Sequence, residues 1–244
     1  MARDRDRDIQ QAQRKIFFNE DTNSPMAEAF RGLRTNLYFM NEREECHVVV
    51  FTSSVPKEGK TTVAANYAMS TAVNGKRTLI IDCDIKRPRI DNAFDIEARG
   101  GLLAHLRGEK ELAECIVRER YRNLDILPTK GSTEYTTEMF HSQKFAGVVE
   151  ELKKNYDQIV IDTAPVGVAG EAGIISKHAH GVVVVCGYDM INKKQLMHTK
   201  KHLENAGANI YGAVVNRIDR SGYAYGSYSY YTDYYKYYNE YQQG

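Results

Sequence analysis

Short runs of apolar, mostly β-branched residues recur along the chain without alternating with polar positions. The first starts at Val48, and the others span residues 78–82, 158–162, 181–186 and 211–216. Strands that are apolar on both sides are typical of a parallel sheet that is covered by helices on both faces. The runs therefore predict the strands of such a sheet.

Segments with helical periodicity separate these runs. Helices are predicted at residues 61–73, 143–154, 171–178 and 193–206, and an additional edge strand at residues 124–127. Gly75 and Gly207 stand just beyond two of the helices, where glycine commonly ends a helix. The predicted fold class is α/β, with a mainly parallel sheet flanked by helices in a single domain.

A further helix is predicted ahead of the first strand, entered through Ser24 and Pro25. Its apolar positions recur at steps of four and three residues, at Met26, Phe30, Leu33, Leu37 and Met40. The other face carries Glu28, Arg31 and Arg34. Two interpretations of these charges remain open. They form either a solvated face with one intrahelical ion pair, or a self-association surface on which arginine of one copy meets glutamate of the next.

The two ends of the chain differ in character from the part between them. Residues 1–23 are polar and alternate arginine with aspartate, which predicts a mobile arm. Residues 220–244 are dominated by glycine, serine and tyrosine, which predicts a flexible tail that cannot build a core. Ten of the 17 tyrosines lie in this tail. The folded domain is predicted over residues 24–219.

Composition narrows the classes of protein that remain. The net charge of +1 gives no argument for nucleic acid or anionic lipid as a partner, so no nucleic acid is expected. The chain has no run of 18 apolar residues, and its amino terminus lacks the apolar region of a secretory signal. The four cysteines are scattered, which is typical of reduced thiols rather than of a disulfide framework or a zinc site.

The join between the first strand and the next helix has the pattern of a phosphate-binding loop. Gly59, Lys60 and Thr61 match the end of G-x-x-x-x-G-K-[ST], although Ser54 stands in place of the first glycine. Backbone N–H groups and the helix dipole at such a join attract a polyphosphate. Lys60 is predicted to reach the β- and γ-phosphates, and Thr61 to ligate Mg²⁺.

Carboxylates follow two further strands at the same predicted edge of the sheet. Asp82 and Asp84 flank Cys83, and the period of two in a strand places both carboxylates on one side, away from the thiol. Asp162 ends another strand, in the position of a carboxylate that holds Mg²⁺ through water. One strand-terminal aspartate is usually a cap or turn residue, but three beside the loop predict a magnesium–nucleotide site.

The pair of carboxylates at Asp82 and Asp84 bears on the type of reaction. Hydrolysis of ATP needs only a positioned water, whereas transfer to a phenol needs a group that orients the tyrosine oxygen towards the γ-phosphorus. Asp82 or Asp84 is suited to this role while the other supports the metal. Lys86, Arg87 and Arg89 follow, and they either neutralise phosphate charge or form a solvated basic turn.

These motifs together carry a family resemblance. SSVPKEGKTT, LIIDCDIKRP and IVIDTAPV resemble the Walker A, Walker A′ and Walker B motifs of the bacterial tyrosine kinases of capsule and exopolysaccharide synthesis. EAFRGLR resembles the self-association motif of that family, and the tyrosine-rich end resembles its autophosphorylated cluster. The chain is similar to the Firmicutes form, in which the kinase is a separate cytoplasmic chain.

The resemblance implies a fold like that of the MinD and ParA P-loop ATPases, and the activity of a protein-tyrosine kinase that uses ATP and Mg²⁺. It implies ring-like homo-oligomers, in which the tail of one subunit is phosphorylated in trans by a neighbour. The implied partners are the cytoplasmic segment of a transmembrane modulator of the polysaccharide co-polymerase type and a phosphotyrosine phosphatase. Recruitment to the inner face of the plasma membrane would follow, with control of capsular or extracellular polysaccharide synthesis and export.

Matched residue by residue, the resemblance assigns roles within this sequence. Catalysis is assigned to Lys60, Asp82 and Asp84, and metal binding to Thr61, Asp84 and Asp162. Nucleotide contacts are assigned to Ser54, Lys57, Glu58, Gly59, Lys60, Thr61, Thr62, Asn216 and Arg217. The phosphoacceptors are Tyr223, Tyr225, Tyr228, Tyr230, Tyr231, Tyr234, Tyr235, Tyr237, Tyr238 and Tyr241. Self-association is assigned to Glu28, Arg31 and Arg34.

The sequence departs from the family pattern at three positions. Lys57 replaces a glycine of the loop, Ala164 replaces the first proline after Asp162, and Glu171 replaces an aspartate. None of these changes removes a phosphate or metal ligand, so activity is expected. Two other functions remain open: an ATPase switch of the ParA or MinD type, and a catalytically dead scaffold whose aromatic tail recruits a partner. Val55 argues against the switch, because those ATPases usually carry lysine at that position.

Overall fold

The computed structural model of the chain describes residues 24–40, 45–98 and 100–218, together with Ile16. The α-helices within these ranges are α1 (Pro25–Phe39), α2 (Lys60–Val73), α3 (Ile90–Phe94), α4 (Leu102–Leu106), α5 (Leu112–Cys115), α6 (Thr136–His141), α7 (Gln143–Lys153), α8 (Glu171–Ile175) and α9 (Lys193–Asn205). The strands are β1 (His47–Ser53), β2 (Thr78–Cys83), β3 (Val117–Tyr121), β4 (Leu124–Leu127), β5 (Gln158–Thr163), β6 (Gly181–Gly187) and β7 (Ile210–Asn216). A 3₁₀ turn at Ser176–His178 follows α8.

The strands form one sheet in the order β3-β4-β2-β5-β1-β6-β7. Neighbouring strands pair in parallel, except for the antiparallel pair of β3 and β4. The predicted fold class is therefore confirmed. The predicted edge position of residues 124–127 is wrong, because β3 pairs with the outer side of β4. The sequence of β3, VRERY, has no apolar run, since an edge strand that faces water needs none.

The core consists of two layers, one on each face of the sheet. Side chains on one face, such as Val49 and Ile80, pack with α1, α2 and α3. Side chains on the other face, such as Val50 and Ile81, pack with α4 to α9. Every residue of β1, β2, β5 and β6 is buried. The unbroken apolar runs are thus explained by helices that exclude water from both sides.

Helix α1 begins and packs as the sequence predicts. The hydroxyl of Ser24 accepts a hydrogen bond from the N–H of Ala27 at 3.1 Å, which caps the first turn. Phe30 and Leu37 are buried in the layer that contains α2. The predicted apolar stripe is too long, because Met26 and Met40 at its ends are 42% and 54% exposed.

The charged face of α1 serves this chain's own fold at two points. Glu28 and Arg31 form an intrahelical ion pair. Arg34 donates a hydrogen bond to the backbone carbonyl of Ser70 in α2 at 2.6 Å, so it ties the two helices together. The ion pair agrees with the first interpretation of this face. Self-association through the same residues stays a prediction.

Four of the observed helices were not predicted. They are α3, α4, α5 and α6, and each has only four to six residues. Fewer than two turns of helix are too short to display an apolar period of 3.6 residues. The longer helices were predicted to within one residue, except that the segment 171–178 divides into α8 and the 3₁₀ turn.

The predicted arm and tail lie almost entirely outside the described residues. Ile16 is the residue of the arm that the structure describes, and it is buried in the layer that contains α1 and α2. All ten predicted phosphoacceptor tyrosines fall outside the described ranges. Within those ranges, no helix combines the length and apolar character that a membrane span needs. The four cysteines are free thiols, and each is buried.

A buried histidine gives a prediction about stability. His47 begins β1 with 7% of its surface exposed, its Nε2 lies 3.3 Å from the Tyr211 hydroxyl, and its ring is 5.9 Å from that of His180. Burial, and next the charge of His180, lower the pKa of His47 from 6.5 to about 4. The unfolded chain therefore binds this proton first as the pH falls. The contribution of His47 is complete above pH 6.5 and is lost between pH 6.5 and about 4, by up to about 3 kcal/mol.

Urea unfolding between pH 7 and pH 4 measures this effect. The variant His47→Gln should show a shallower fall in the free energy of unfolding over this interval than the wild-type chain. The same substitution at His141, which is exposed, is the matched control and should keep the wild-type slope. An unchanged slope in His47→Gln would show that another group controls the acid sensitivity.

Candidate active site

The phosphate-binding loop predicted from the sequence joins the central strand β1 to α2. Lys57 and Gly59 both have left-handed backbones, with φ of 72° and 91°. Helix α2 begins at Lys60 and runs for 14 residues. Its first N–H groups have no partner within the helix, and its dipole adds positive potential at this end. The loop therefore has the geometry of an anion-binding site.

Hydrogen bonds hold the loop against the ends of β6 and β7. Glu58 is fully buried, and its carboxylate accepts hydrogen bonds from the N–H of Val55 at 2.7 Å and of Gly187 at 3.0 Å. The side-chain amide of Asn216, at the end of β7, donates to the carbonyl of Glu58 at 2.9 Å. A Cβ on Gly59 would stand 2.0 Å from this amide nitrogen. Only glycine therefore fits between the loop and β7.

Lys60 lies at the centre of a cluster of charges. Its Nζ is 2.7 Å from Oδ1 of Asp162 and 3.5 Å from Oδ2 of Asp84. The hydroxyl of Thr61 donates to the other oxygen of Asp162 at 2.7 Å. Parallel pairing places Asp82 of β2 beside Asp162 of β5. The structure thus brings together the residues that were predicted from three separate motifs.

Asp82 and Asp84 differ in what they contact. Asp82 is fully buried, and it accepts hydrogen bonds from the backbone N–H groups of Asp84, Arg89 and Ile90 at 2.9–3.0 Å. It therefore shapes the loop between β2 and α3. Asp84 keeps 11% of its side chain exposed and has one oxygen near Lys60. As predicted, Cys83 lies on the opposite face of the sheet.

The electrostatics of the cluster follow from its burial. Burial alone would lower the pKa of Lys60, but the charges of Asp162 and Asp84 outweigh it and raise that pKa. Burial also raises the pKa of Asp162 against the opposing attraction of Lys60. Burial and then the charge of Asp162 raise the pKa of Asp82. When all three carboxylates are ionised, the single buried ammonium group of Lys60 leaves an excess of negative charge.

The donor set fits a magnesium ion that is held together with phosphates. Carboxylate and hydroxyl oxygens of Asp84, Asp162 and Thr61 are the hard ligands that Mg²⁺ prefers. Among the described residues, no three acidic, histidine or cysteine side chains form a complete metal cage. Magnesium commonly takes one or two carboxylates and fills its remaining positions with water and substrate phosphates. An incomplete cage beside a phosphate loop therefore agrees with this use.

The remaining sequence-predicted residues lie around the loop. The hydroxyl of Ser54 accepts a hydrogen bond from Thr199 of α9 at 2.8 Å. Thr62 is half-buried in the first turn of α2. Arg217 is exposed, and its Nε lies 3.9 Å from the place that a Cβ on Gly59 would take. Asn216 braces the loop through Glu58, so its predicted contact with the nucleotide base stays a prediction.

Several supporting residues were not found from the sequence. Gly167 passes so close to the loop that a Cβ would lie 2.5 Å from the carbonyl of Ser54. The hydroxyl of Thr129 donates to the carbonyl of Asp82 at 2.7 Å. Thr199 anchors Ser54, as described above. These partners are distant in sequence and follow no motif, so only the folded chain brings them to the site.

Glu171 is a further buried acid, near the loop that follows β2. Its Oε1 accepts a hydrogen bond from Thr136 at 2.5 Å and lies 3.7 Å from the ammonium group of Lys86. Its Oε2 has no hydrogen-bond partner among the described residues. The sequence marked this position only as a departure from the family pattern. The structure shows that Glu171 connects the loops after β2, β4 and β5.

Comparisons with known proteins agree with this site. The profile of the AAA domain family matches residues 53–210. The chain is 32% identical over 218 residues to CapB of Staphylococcus aureus, described by its name as a proposed tyrosine-protein kinase, and covers 94% of it. It is 30% identical over 224 residues to the tyrosine-protein kinase CpsD of Streptococcus pneumoniae and covers 96% of that protein. These matches take in 88% and 91% of this chain.

Solved structures give the same result for the fold. The crystal structure of the chimerical protein CapA2B2 superposes with a TM-score of 0.80 at 32% identity, over 84% of this chain and 91% of that one. MinD of Pyrococcus horikoshii, solved with Mg-ADP, superposes with a TM-score of 0.61 at 24% identity, over 72% of each chain. The MinD likeness shows the fold alone. With the Lys60–Asp162–Asp84 cluster in place and relatives matched over nearly their whole length, the chain belongs to the bacterial tyrosine-protein kinase family of capsule and exopolysaccharide synthesis.

Proposed function

We propose that this chain transfers the γ-phosphoryl group of ATP to tyrosines in its own carboxyl-terminal segment, from one copy to another. The observation that carries the proposal is the convergence of Lys60, Thr61, Asp84 and Asp162 at the amino end of α2. Family membership supports tyrosine as the acceptor. The ten tyrosines between residues 223 and 241 supply acceptors within the chain itself.

The residues that would hold Mg-ATP are already close to one another. In this proposal the loop N–H groups and Lys60 would bind the β- and γ-phosphates, and Thr61, Asp84 and Asp162 would hold the metal. When bound, Mg-ATP supplies the phosphoryl group and a cation that neutralises its charge. Asp162 holds the Lys60 ammonium group beside the helix terminus before the substrate binds. This arrangement lowers the cost of ordering a long, flexible side chain on binding.

Asp84 is better placed than Asp82 to orient the acceptor hydroxyl. Three backbone N–H groups occupy the two oxygens of Asp82, which is fully buried. Asp84 is also buried but keeps 11% of its side chain exposed, and among the described residues the Arg87 N–H is its one backbone donor, to Oδ1, so it is the more accessible of the two to an incoming phenol. A carboxylate is a weak base for a phenol, so its contribution would be mainly orientation and late acceptance of the proton. We therefore assign to Asp84 both the orientation of the acceptor and a share in holding the metal, and to Asp82 the shaping of the loop between β2 and α3.

Phosphorylation of the tail in trans implies three kinds of partner: a second copy of the chain, a transmembrane modulator and a phosphatase. A tail that is phosphorylated in trans requires contact between copies, for which the face of Glu28 and Arg31 is the candidate, with Arg34 beside it. A transmembrane modulator would recruit the kinase to the inner face of the membrane, and a phosphotyrosine phosphatase would reset it. The chain spans 28% of EpsB of Ralstonia solanacearum, so in that relative a longer segment accompanies the matched region. The greater length of that relative supports the proposal that a second segment works with the kinase domain.

A mixing experiment tests transfer between copies. A tagged Lys60→Met chain is incubated with untagged wild-type chain and radiolabelled Mg-ATP. We expect phosphotyrosine on the tagged chain only when wild-type chain is present. Arg31→Ala in both chains should lower this labelling if the α1 face joins the copies. Wild-type chain that labels itself but never the tagged chain would contradict transfer in trans.

A further inference from the structure

Two cations beside the phosphate loop have an uncommon backbone conformation. Among the described residues, the non-glycine residues with positive φ are Lys57, Asp95, Asn123, Asp189 and Arg217. Asparagine and aspartate adopt this conformation several-fold more readily than other residues, so the lysine and the arginine are the unusual members. A strained backbone persists where the surrounding structure enforces it, and such residues cluster at functional sites.

Lys57 occupies the loop itself, two residues before Gly59 and three before Lys60. Its side chain is exposed, and it has no ion pair or hydrogen bond with another described residue. Other lysines of this region are paired: Lys60 with Asp162, and Lys86 with Glu171. A glycine in place of Lys57 would adopt a φ of 72° without strain. Lys57 therefore places an unpaired charge at a position whose backbone conformation favours glycine.

We propose that Lys57 is a specificity-determining residue whose ammonium group binds the terminal phosphates and favours a nucleoside triphosphate over a diphosphate. This inference rests on the proposed function and deepens it. A lysine side chain reaches about 6 Å from its Cα, and charges within about 8 Å still attract one another at physiological salt. Phosphates bound by the N–H groups of the loop would therefore lie within that distance of Lys57. Because each added phosphate brings more negative charge, the attraction grows from diphosphate to triphosphate.

Nucleotide titration without turnover tests the inference. Calorimetry would measure the Kd of ADP and of a non-hydrolysable ATP analogue, each with Mg²⁺, for the wild-type chain, Lys57→Gly and Lys57→Arg. We expect Lys57→Gly to weaken the ATP analogue by about 2- to 5-fold and ADP by less, in line with the strength of an exposed charge pair. The loss should shrink at high salt. Lys57→Arg keeps the charge and should bind as the wild-type chain does.

Thermal unfolding separates the effect of the Lys57 charge from the effect of its left-handed backbone conformation. Lys57→Gly relieves the left-handed strain and should raise the Tm without nucleotide, while it weakens the ATP analogue. Asp95→Gly is the matched control, because Asp95 has a φ of 51° at the end of α3, outside the phosphate loop. It should leave both Kd values unchanged.

The outcomes distinguish this inference from the proposed function. Wild-type chain that binds both nucleotides, with equal Kd values in Lys57→Gly, would overturn the role of Lys57 and leave the nucleotide site standing. Wild-type chain that binds neither nucleotide would overturn the site itself, and this inference with it. Equal weakening of ADP and the ATP analogue in Lys57→Gly would overturn the discrimination between them.

Discussion

Replacing Lys60 by methionine is expected to lower phosphoryl transfer by about 10²- to 10³-fold, because the substitution removes a charged donor from the reacting phosphate. The same change should destabilise the chain by about 3 kcal/mol. Asp162 is buried, and its ion pair with Lys60 at 2.7 Å would be lost, which leaves a carboxylate without its cation. Circular dichroism should still show the wild-type fold, while urea unfolding shows the loss of stability.

Two further variants make this prediction specific. Lys200→Met removes an exposed ion pair of the same 2.7 Å length, with Glu204 in α9, and should change stability by no more than about 0.5 kcal/mol. Lys60→Met combined with Asp162→Asn should recover part of the stability and none of the activity. Transfer at the wild-type rate in Lys60→Met would contradict the assignment of this lysine.

Replacing Gly59 by alanine should weaken nucleotide binding and lower phosphoryl transfer by about 100-fold, since a 1 Å displacement of groups that position a substrate costs about this factor in rate. The new Cβ would lie 2.0 Å from the amide nitrogen of Asn216, and the backbone has a φ of 91°. The loop must therefore move away from β7 and from its hydrogen bond with Asn216. Nucleotide titration and thermal unfolding would measure the two consequences.

Gly75 supplies a matched control for Gly59. It has nearly the same φ, 89°, but a Cβ there would meet nothing within 4 Å. Gly75→Ala should thus show only the conformational cost, about 1 kcal/mol, with unchanged nucleotide affinity. If both variants bound nucleotide equally well, the close approach of Gly59 to Asn216 would have no role in the site.

Much of the site could be predicted from the sequence, because its functional residues lie directly after buried strands. The loop of Lys60 and the carboxylates of Asp82 and Asp162 each end a buried apolar run. Parallel pairing then brings such ends to one edge of the sheet, and the observed register places Asp82 beside Asp162. The period of two also predicted that Cys83 would face away from Asp82 and Asp84.

The separate roles of the residues within the site could not be predicted in the same way. Asp82 and Asp84 look equivalent in sequence, and only the fold shows that backbone N–H groups occupy Asp82. The role of Asn216 as a brace depends on β7 ending beside the loop. β3 escaped prediction because a charged edge strand has no apolar signal. Contacts between distant segments decide each of these features, and local pattern does not encode them.

Phosphate transfer to tyrosine is the central claim, and site-resolved mass spectrometry tests it most directly. The purified chain would be incubated with Mg-ATP, with and without the cytoplasmic segment of a candidate transmembrane modulator, beside the Lys60→Met chain as a control. We expect phosphate on tyrosines between residues 223 and 241 of the wild-type chain, and none on the control. Phosphate found only on serine or threonine, or no phosphate in either incubation, would contradict it.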